Sequence, residues 1–176
     1  MQQLQEKIKR TIRDIPDFPK PGILFKDITP ILQDPQLCQK IVDGFSQQLE
    51  HLSIDCIACV EARGFFFGTL LAQKFNIPFI PIRKKGKLPY KTLEYTYELE
   101  YGNAVVEMHE DAIPKGARVL IHDDLLATGG TAAAAAELIK PYGEIAGFSF
   151  LVDLTFLKGK DKLTPYSDSV ISLVEY

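Results

Sequence analysis

The sequence predicts an α/β fold with a largely parallel central sheet and helices on both faces, and three observations carry that reading. Strand-like and helix-like segments alternate along the chain, the pattern that packs as a parallel sheet with crossover helices. Two strand-like runs, 54–60 and 118–124, each pass through a short glycine-containing turn into helix-forming sequence. Such junctions are where open α/β sheets hold their ligands. With 176 residues, 46% of them hydrophobic, the chain has enough apolar surface for a single domain spanning 1–176.

The formal charge of −3 argues against a general nucleic-acid binder. No 18-residue apolar run is present, and the opening Met-Gln-Gln-Leu-Gln-Glu-Lys has no signal-peptide core. A cytoplasmic address with no membrane partner is therefore expected. Cys38, Cys56 and Cys59 are too few for a disulfide framework. Cys56 and Cys59 have the spacing of a redox or zinc pair, but they lie inside the strand-like run Ile54–Val60, where residues three apart face opposite sides. Buried core thiols are expected.

In chain order, Leu4, Ile8 and Ile12 make a narrow apolar stripe, predicting a surface helix over Gln2–Arg13. Three prolines and a glycine in the eight residues Ile15–Gly22 forbid helix and predict an extended loop. Ile23-Leu-Phe-Lys-Asp-Ile-Thr-Pro30 continues it, as a loop pinned to the core or as a wall carrying Phe25 to a ligand. Leu37, Ile41, Val42, Phe45 and Leu49 then mark a core-facing helix over 35–52, with Pro35 in its first turn. The strand-like run 54–60 ends in Glu61-Ala-Arg-Gly-Phe, where an arginine beside a glycine turn suits an anion.

Phe79–Ile82 reads as a short strand that Pro78 and Pro81 push toward an edge or strand end. Arg83-Lys-Lys-Gly-Lys-Leu-Pro-Tyr-Lys91 then packs five cations into nine residues of an acidic chain. A solvated loop, a nucleic-acid patch and a grip on a small polyanion are the readings, and the patch would need aromatic platforms or a wider basic field. Two β-compatible runs, 92–99 and 104–108, flank the turn residues Gly102 and Asn103 and predict a hairpin able to act as a mobile flap. Helix 131–142 and strands 145–154 and 169–174 complete the alternation.

The centre of the argument is Val119-Leu-Ile-His-Asp-Asp-Leu-Leu-Ala-Thr-Gly-Gly-Thr131. Its strand runs through Asp123 and Asp124 into a small-residue turn and then into the helix-forming run Ala132–Ala136. Unpaired first-turn N–H groups and the positive end of the helix dipole make such a turn a phosphate site. Ala127, Thr128, Gly129, Gly130 and Thr131 would line it, the two carboxylates suiting a sugar diol or a hydrated cation. No lysine follows the glycines, so it is not a P-loop. His122 precedes Asp123 and should face the opposite side as a core residue.

This run resembles the phosphoribosyl pyrophosphate motif of type I phosphoribosyltransferases, in its adenine phosphoribosyltransferase version. Pro16-Asp-Phe-Pro with Phe25-Lys-Asp-Ile-Thr-Pro30, Ala62-Arg-Gly-Phe, the Arg83–Pro89 run and Glu100-Tyr-Gly102 resemble the same family's other motifs. The resemblance implies a type I phosphoribosyltransferase-like fold with an N-terminal hood at about 15–32 and a flap at about 84–108. It implies transfer of the 5-phosphoribosyl group from phosphoribosyl pyrophosphate to adenine, with Mg²⁺ carried by the pyrophosphate and no direct protein ligand, in a homodimer.

By that resemblance Phe25 stacks on adenine while backbone groups of Leu24 and Lys26 read its edge. Asp123 and Asp124 take the ribose, residues 127–131 the 5′-phosphate, and Arg63, Arg83, Lys84 and Lys87 the pyrophosphate. Glu100 and Tyr101, with Arg63, are the catalytic expectations. The family also often has a non-proline cis peptide here, expected near Glu61 and Ala62, and Ala62 replaces its usual serine. The alternatives are a transferase for another base, or a phosphoribosyl pyrophosphate sensor without catalysis. The hood argues against the first, and the short segment before it against the second, since it leaves no room for a helix-turn-helix.

Overall fold

The computed structural model describes residues 1–98 and 102–176. Helix α1 (Gln2–Thr11) buries Ile8 completely and stops where Ile12 turns to extended backbone. It is two residues shorter than its apolar period suggests, because β1 (Arg13–Pro16) pairs antiparallel with β2 (Leu24–Asp27). The proline-rich stretch thus closes a two-stranded ribbon, with Pro16 at its last pair, where a missing N–H costs little. After a 3₁₀ turn at Thr29–Gln33, helix α2 (Pro35–Leu49) begins with Asp34 accepting the Leu37 N–H at 2.9 Å.

Seven strands form the main sheet: β3 (Cys56–Val60), β4 (Phe79–Lys84), β5 (Thr92–Glu98), β6 (Asn103–His109), β7 (Ala117–Leu126), β8 (Gly143–Asp153) and β9 (Val170–Glu175). Their order is β5-β6-β4-β3-β7-β8-β9, with β4, β3, β7, β8 and β9 parallel and the β5–β6 hairpin antiparallel. Helices α3 (Gly64–Phe75) and α4 (Gly130–Ile139) follow β3 and β7.

β7 lies near the middle and is buried on both faces, which is why its sequence reads as a continuous apolar run. Val119 and Ile121 pack with Ala135, Ala136 and Ile139 of α4, while Leu120 packs with Phe45, Phe67 and Leu71 of α2 and α3. Each such fully buried side chain contributes roughly 1.5–3 kcal/mol. The two cysteines of β3 divide in the same way, Cys56 toward α4 and Cys59 toward α3. Burial pushes the Cys56 thiol up to about 11 and Cys59 well above its ordinary value, so neither has thiolate character.

The edge position expected for Phe79–Ile82 is found for those four residues, though β4 as a whole lies inside the sheet. Its first four residues pair with β3, and β6 joins only at Arg83 and Lys84. Pro78 and Ile82 carbonyls accept from β3, so Pro81 turns its missing N–H away from β3, on the side where no ladder has yet begun. The hairpin therefore joins the sheet through two residue pairs and the Lys85 N–H to Val105 carbonyl bond beside them, while Leu93, Tyr95 and Tyr97 of β5 pack onto the α4 side.

Candidate active site

The polar groups singled out in the sequence gather at the carboxyl ends of β3, β4 and β7. Asp123 and Asp124 occupy successive positions of β7 and so face opposite sides of the sheet. Asp123 lies on the α4 side, lining a cavity with Thr131, while Asp124 meets Arg63. The start of α3 comes hard against this pair: a Cβ on Gly64 would sit 2.9 Å from Asp123 Oδ1. Burial, with the Asp124 carboxylate beside it, pushes the Asp123 carboxyl well up. Asp124 is raised too by its burial, against the pull of the Arg63 guanidinium.

Arg63 Nε lies 3.1 Å from Asp124 Oδ2, an ion contact without hydrogen-bond alignment. Its guanidinium carbon lies 4.7 Å from the centre of the Phe25 ring, a cation–π contact between the β3–α3 turn and the ribbon. One terminal nitrogen, Nη1, is buried without a hydrogen-bond partner among the described residues, leaving a donor for an acceptor between Phe25 and Asp124. The Glu61–Ala62 peptide that leads into Arg63 is cis, at the position expected.

Residues 127–131 form the expected strand-to-helix turn, lining with Asp123, Leu126 and Phe150 a cavity of about 80 Å³. Gly129 has φ +77°, and a Cβ there would sit 2.5 Å from the Gly159 carbonyl oxygen, while a Cβ on Gly159 would overlap the Ala127 carbonyl. Two backbones meet with no room for side chains, which is how the turn holds its shape. Lys160, beside Gly159, bonds to Glu175 at 2.8 Å and lies 3.0 Å from buried Asp153, fixing this support to the end of β8 and β9.

In the basic run, Arg83 Nε donates to Glu61 at 2.7 Å and its Nη1 to the Lys87 carbonyl at 3.0 Å. Lys85 pairs with Glu94 at 2.7 Å. The Lys84 and Lys87 ammonium groups have no ion-pair partner among the described residues. Val60, Glu61, Arg83, Lys84, Tyr97, Asp123 and Thr131 share a cavity of about 140 Å³, which places the basic run opposite the turn. Across it the Tyr97 hydroxyl lies 3.3 Å from Thr131 Oγ1.

On the ribbon, Phe25 meets Phe18 edge-on at 5.1 Å and Leu24 is half exposed. The Lys26 ammonium is buried, bonded to Asp14 at 2.7 Å and 3.8 Å above the Tyr176 ring, so only its backbone is left for a ligand. Glu100 and Tyr101 lie outside the described residues. His122 is buried with its Nδ1 2.9 Å from Ser149 Oγ, and desolvation pulls its imidazole down to about 3. It is a neutral core residue, as its place on the strand predicts. Glu107, Gly159 and Tyr97 were not foreseen. A carboxylate between Val106 and Met108 and a glycine inside a charged loop were the signals for the first two.

An anion-binding turn, an acidic pair and a cationic run around one cleft can hold a phosphorylated sugar with a second anionic group. The family described as Phosphoribosyl transferase domain matches residues 27–162. Adenine phosphoribosyltransferase of Cytophaga hutchinsonii is 59% identical over 98% of this chain and 96% of its own length. The crystal structure of adenine phosphoribosyltransferase from Thermoanaerobacter pseudethanolicus superposes with a TM-score of 0.94 at 50% identity, covering 98% of this chain and 99% of that one. That of the Saccharomyces cerevisiae enzyme, complexed with an imino-altritol bisphosphate and adenine, gives 0.91 at 40% identity over 98% and 99%.

This chain belongs to the phosphoribosyltransferase family and, within it, to the adenine phosphoribosyltransferases, enzymes of adenine salvage to AMP.

Proposed function

We propose that the chain joins adenine to the 5-phosphoribosyl group of phosphoribosyl pyrophosphate, with each group of the cleft serving one part of the transfer. Residues 127–131 hold the 5′-phosphate, and Asp123 and Asp124 take the ribose hydroxyls. Lys84 and Lys87, with Arg83 and Arg63, stabilise the pyrophosphate. Phe25 is the platform for the base in the hood, and backbone groups of Leu24 and Lys26 read its edge. As the anomeric C–O bond breaks, the pyrophosphate takes the bonding pair, and a base nitrogen bonds to the sugar carbon and gives up its proton to the departing pyrophosphate or to solvent. Charge develops on the leaving group and the ring, so fixed cations and positioning dominate the rate.

The observation that carries this reading is the single cavity bounded by Asp123, Thr131, Arg83 and Lys84. It supports the reading because the residues proposed for ribose, phosphate and pyrophosphate line one space. Mg²⁺ belongs to this reading as a companion of the donor. Asp123, the carboxylate that lines the cleft, fits a cation already held by phosphates, which it would meet through water. The bound ion supplies charge neutralisation on the pyrophosphate oxygens. Glu100 and Tyr101, which follow β5 in the sequence, complete the proposal as catalytic groups that act as a flap, the β5–β6 hairpin, closes over the donor and excludes water. A homodimer in the cytoplasm accords with the likeness to the family.

The test is nucleotide formation from phosphoribosyl pyrophosphate and Mg²⁺ with adenine, hypoxanthine, guanine and orotate offered separately. AMP formation with kcat/KM far above the other three is the expected result. Comparable values for adenine and hypoxanthine would overturn the base assignment.

A further inference from the structure

Glu107 is 2% exposed on β6, between Val106 and Met108. A buried carboxylate costs several kcal/mol unless it is compensated, and the ladder neighbours of Glu107 are Arg83 on β4 and Glu94 on β5. Glu94 is a like charge directly opposite, which weakens a sheet. The compensation lies elsewhere. Glu107 Oε1 accepts the backbone N–H groups of Lys87 and Leu88, each at 2.8 Å. Burial alone would raise this carboxyl, yet the backbone donors of Leu88, Gly86 and Lys87, with the Thr92 side chain, hold it below its ordinary value. Apart from the Thr92 hydroxyl on β5, the donors that hold this acid come from the turn carrying Lys87.

That turn is held from its other side as well. Gly86 has φ +81°, and Arg83, itself fixed on Glu61 at 2.7 Å, donates to the Lys87 carbonyl at 3.0 Å. Both backbone polar groups of Lys87 are therefore pinned, its N–H by Glu107 and its C=O by Arg83. Its ammonium has no ion-pair partner among the described residues. A flexible lysine bound at both backbone groups loses less freedom on gripping an anion than one on a loose loop.

We propose that Glu107 is a positioning residue for the pyrophosphate grip, fixing the Lys87 backbone from which the ammonium group is presented. The proposal rests on the reading of Lys87 as a pyrophosphate ligand given above. Glu107 itself touches no substrate.

The experiment measures steady-state kinetics of Glu107→Leu, which removes the acceptor, of Lys87→Gln and of the double variant, varying phosphoribosyl pyrophosphate and adenine in turn. Each single variant should raise the donor KM about 10-fold, the loss of one charge-assisted contact, and leave the adenine KM unchanged. The double variant should be no worse than Lys87→Gln, because both changes remove one contact. Effects that multiply would overturn the proposal, as would a raised donor KM in Lys87→Gln beside an unchanged one in Glu107→Leu; either leaves the reading of Lys87 standing. An unchanged donor KM in Lys87→Gln overturns that reading, and the proposal with it. Should Glu107→Leu fail to fold, amide hydrogen exchange in the unmutated protein decides: the Lys87 and Leu88 N–H groups must exchange slowly, and exchange at the free-loop rate refutes the anchor.

Discussion

The guanidinium of Arg63 bridges two parts of the chain 38 positions apart, resting 4.7 Å from the Phe25 ring centre while its Nε lies 3.1 Å from Asp124. The platform proposed for the base and the carboxylate proposed for the sugar are thereby joined by one planar cation. Arg63→Lys keeps the charge but loses the flat stacking surface and the second donor. KM should rise for both adenine and phosphoribosyl pyrophosphate, each by about 10-fold. A change in the donor KM alone would place Arg63 with the pyrophosphate and not at this junction. Phe25→Leu should weaken adenine use while keeping the preference over hypoxanthine, since stacking does not distinguish two purine faces.

Asp123 should trade stability for function. Its carboxyl is raised by burial and by Asp124, so the folded state holds that proton more tightly than the unfolded one. Stability contributed there falls as pH rises from the ordinary carboxylate range through the raised value, because the ionised form is a net cost to the fold. Asp123→Asn should accordingly raise Tm at pH 7, each kcal/mol gained appearing as about 2–4 °C. The same change should lower kcat/KM for the donor by about 10- to 100-fold, the worth of a charge-assisted hydrogen bond. A melt showing the variant less stable at pH 7 would contradict the electrostatic account.

The turn at 127–131 has a different weakness. Gly129→Ala places a Cβ against the Gly159 carbonyl in a backbone conformation with φ +77°. The loss should be roughly 1–3 kcal/mol, with the donor KM raised because the turn must open to admit the methyl group. Gly86→Ala is the comparison: φ is again positive, but no atom lies within 4 Å of the added Cβ. Differential scanning calorimetry of the two variants should show the larger drop for Gly129→Ala.

His122 predicts an acid sensitivity. Its pKa is pulled from 6.5 to about 3 by desolvation, so between those values the unfolded chain takes up a proton that the folded chain refuses. Stability contributed by this group is intact above pH 6.5 and declines as pH falls toward 3, by at most about 1.4 kcal/mol per pH unit. His122→Gln, which keeps an acceptor beside Ser149, should flatten the Tm profile between pH 6.5 and 4. Parallel profiles for variant and parent would show that other groups govern the acid limb.

Much of this was legible in the chain because it depends on local pattern. The run 119–131 names its own strand, turn and helix, and the parity of the strand alone puts His122 in the core and separates Cys56 from Cys59. The prolines of 16–21 were read as forbidding helix and making an extended loop, and the extended chain goes further, since β1 pairs with β2 and Pro16 falls at the end of the ribbon. Pro81 suggested an edge, which holds only for the part of β4 that precedes its pairing with β6. What stayed hidden was long-range: the contact of Gly129 with Gly159, the hold of Glu107 on Lys87 and the seat of Arg63 on Phe25 each join segments that sequence spacing cannot relate.

Because β6 joins the parallel sheet at Arg83 and Lys84, with Lys85 bonded beside them, the root of the hairpin and part of the proposed grip on the leaving group share the same residues. Any swing of the hairpin is thus geared to the cations at its root. In the proposed reaction, sealing the cleft and tightening on the pyrophosphate would be a single mechanical stroke, and letting go of the product would reverse both at once.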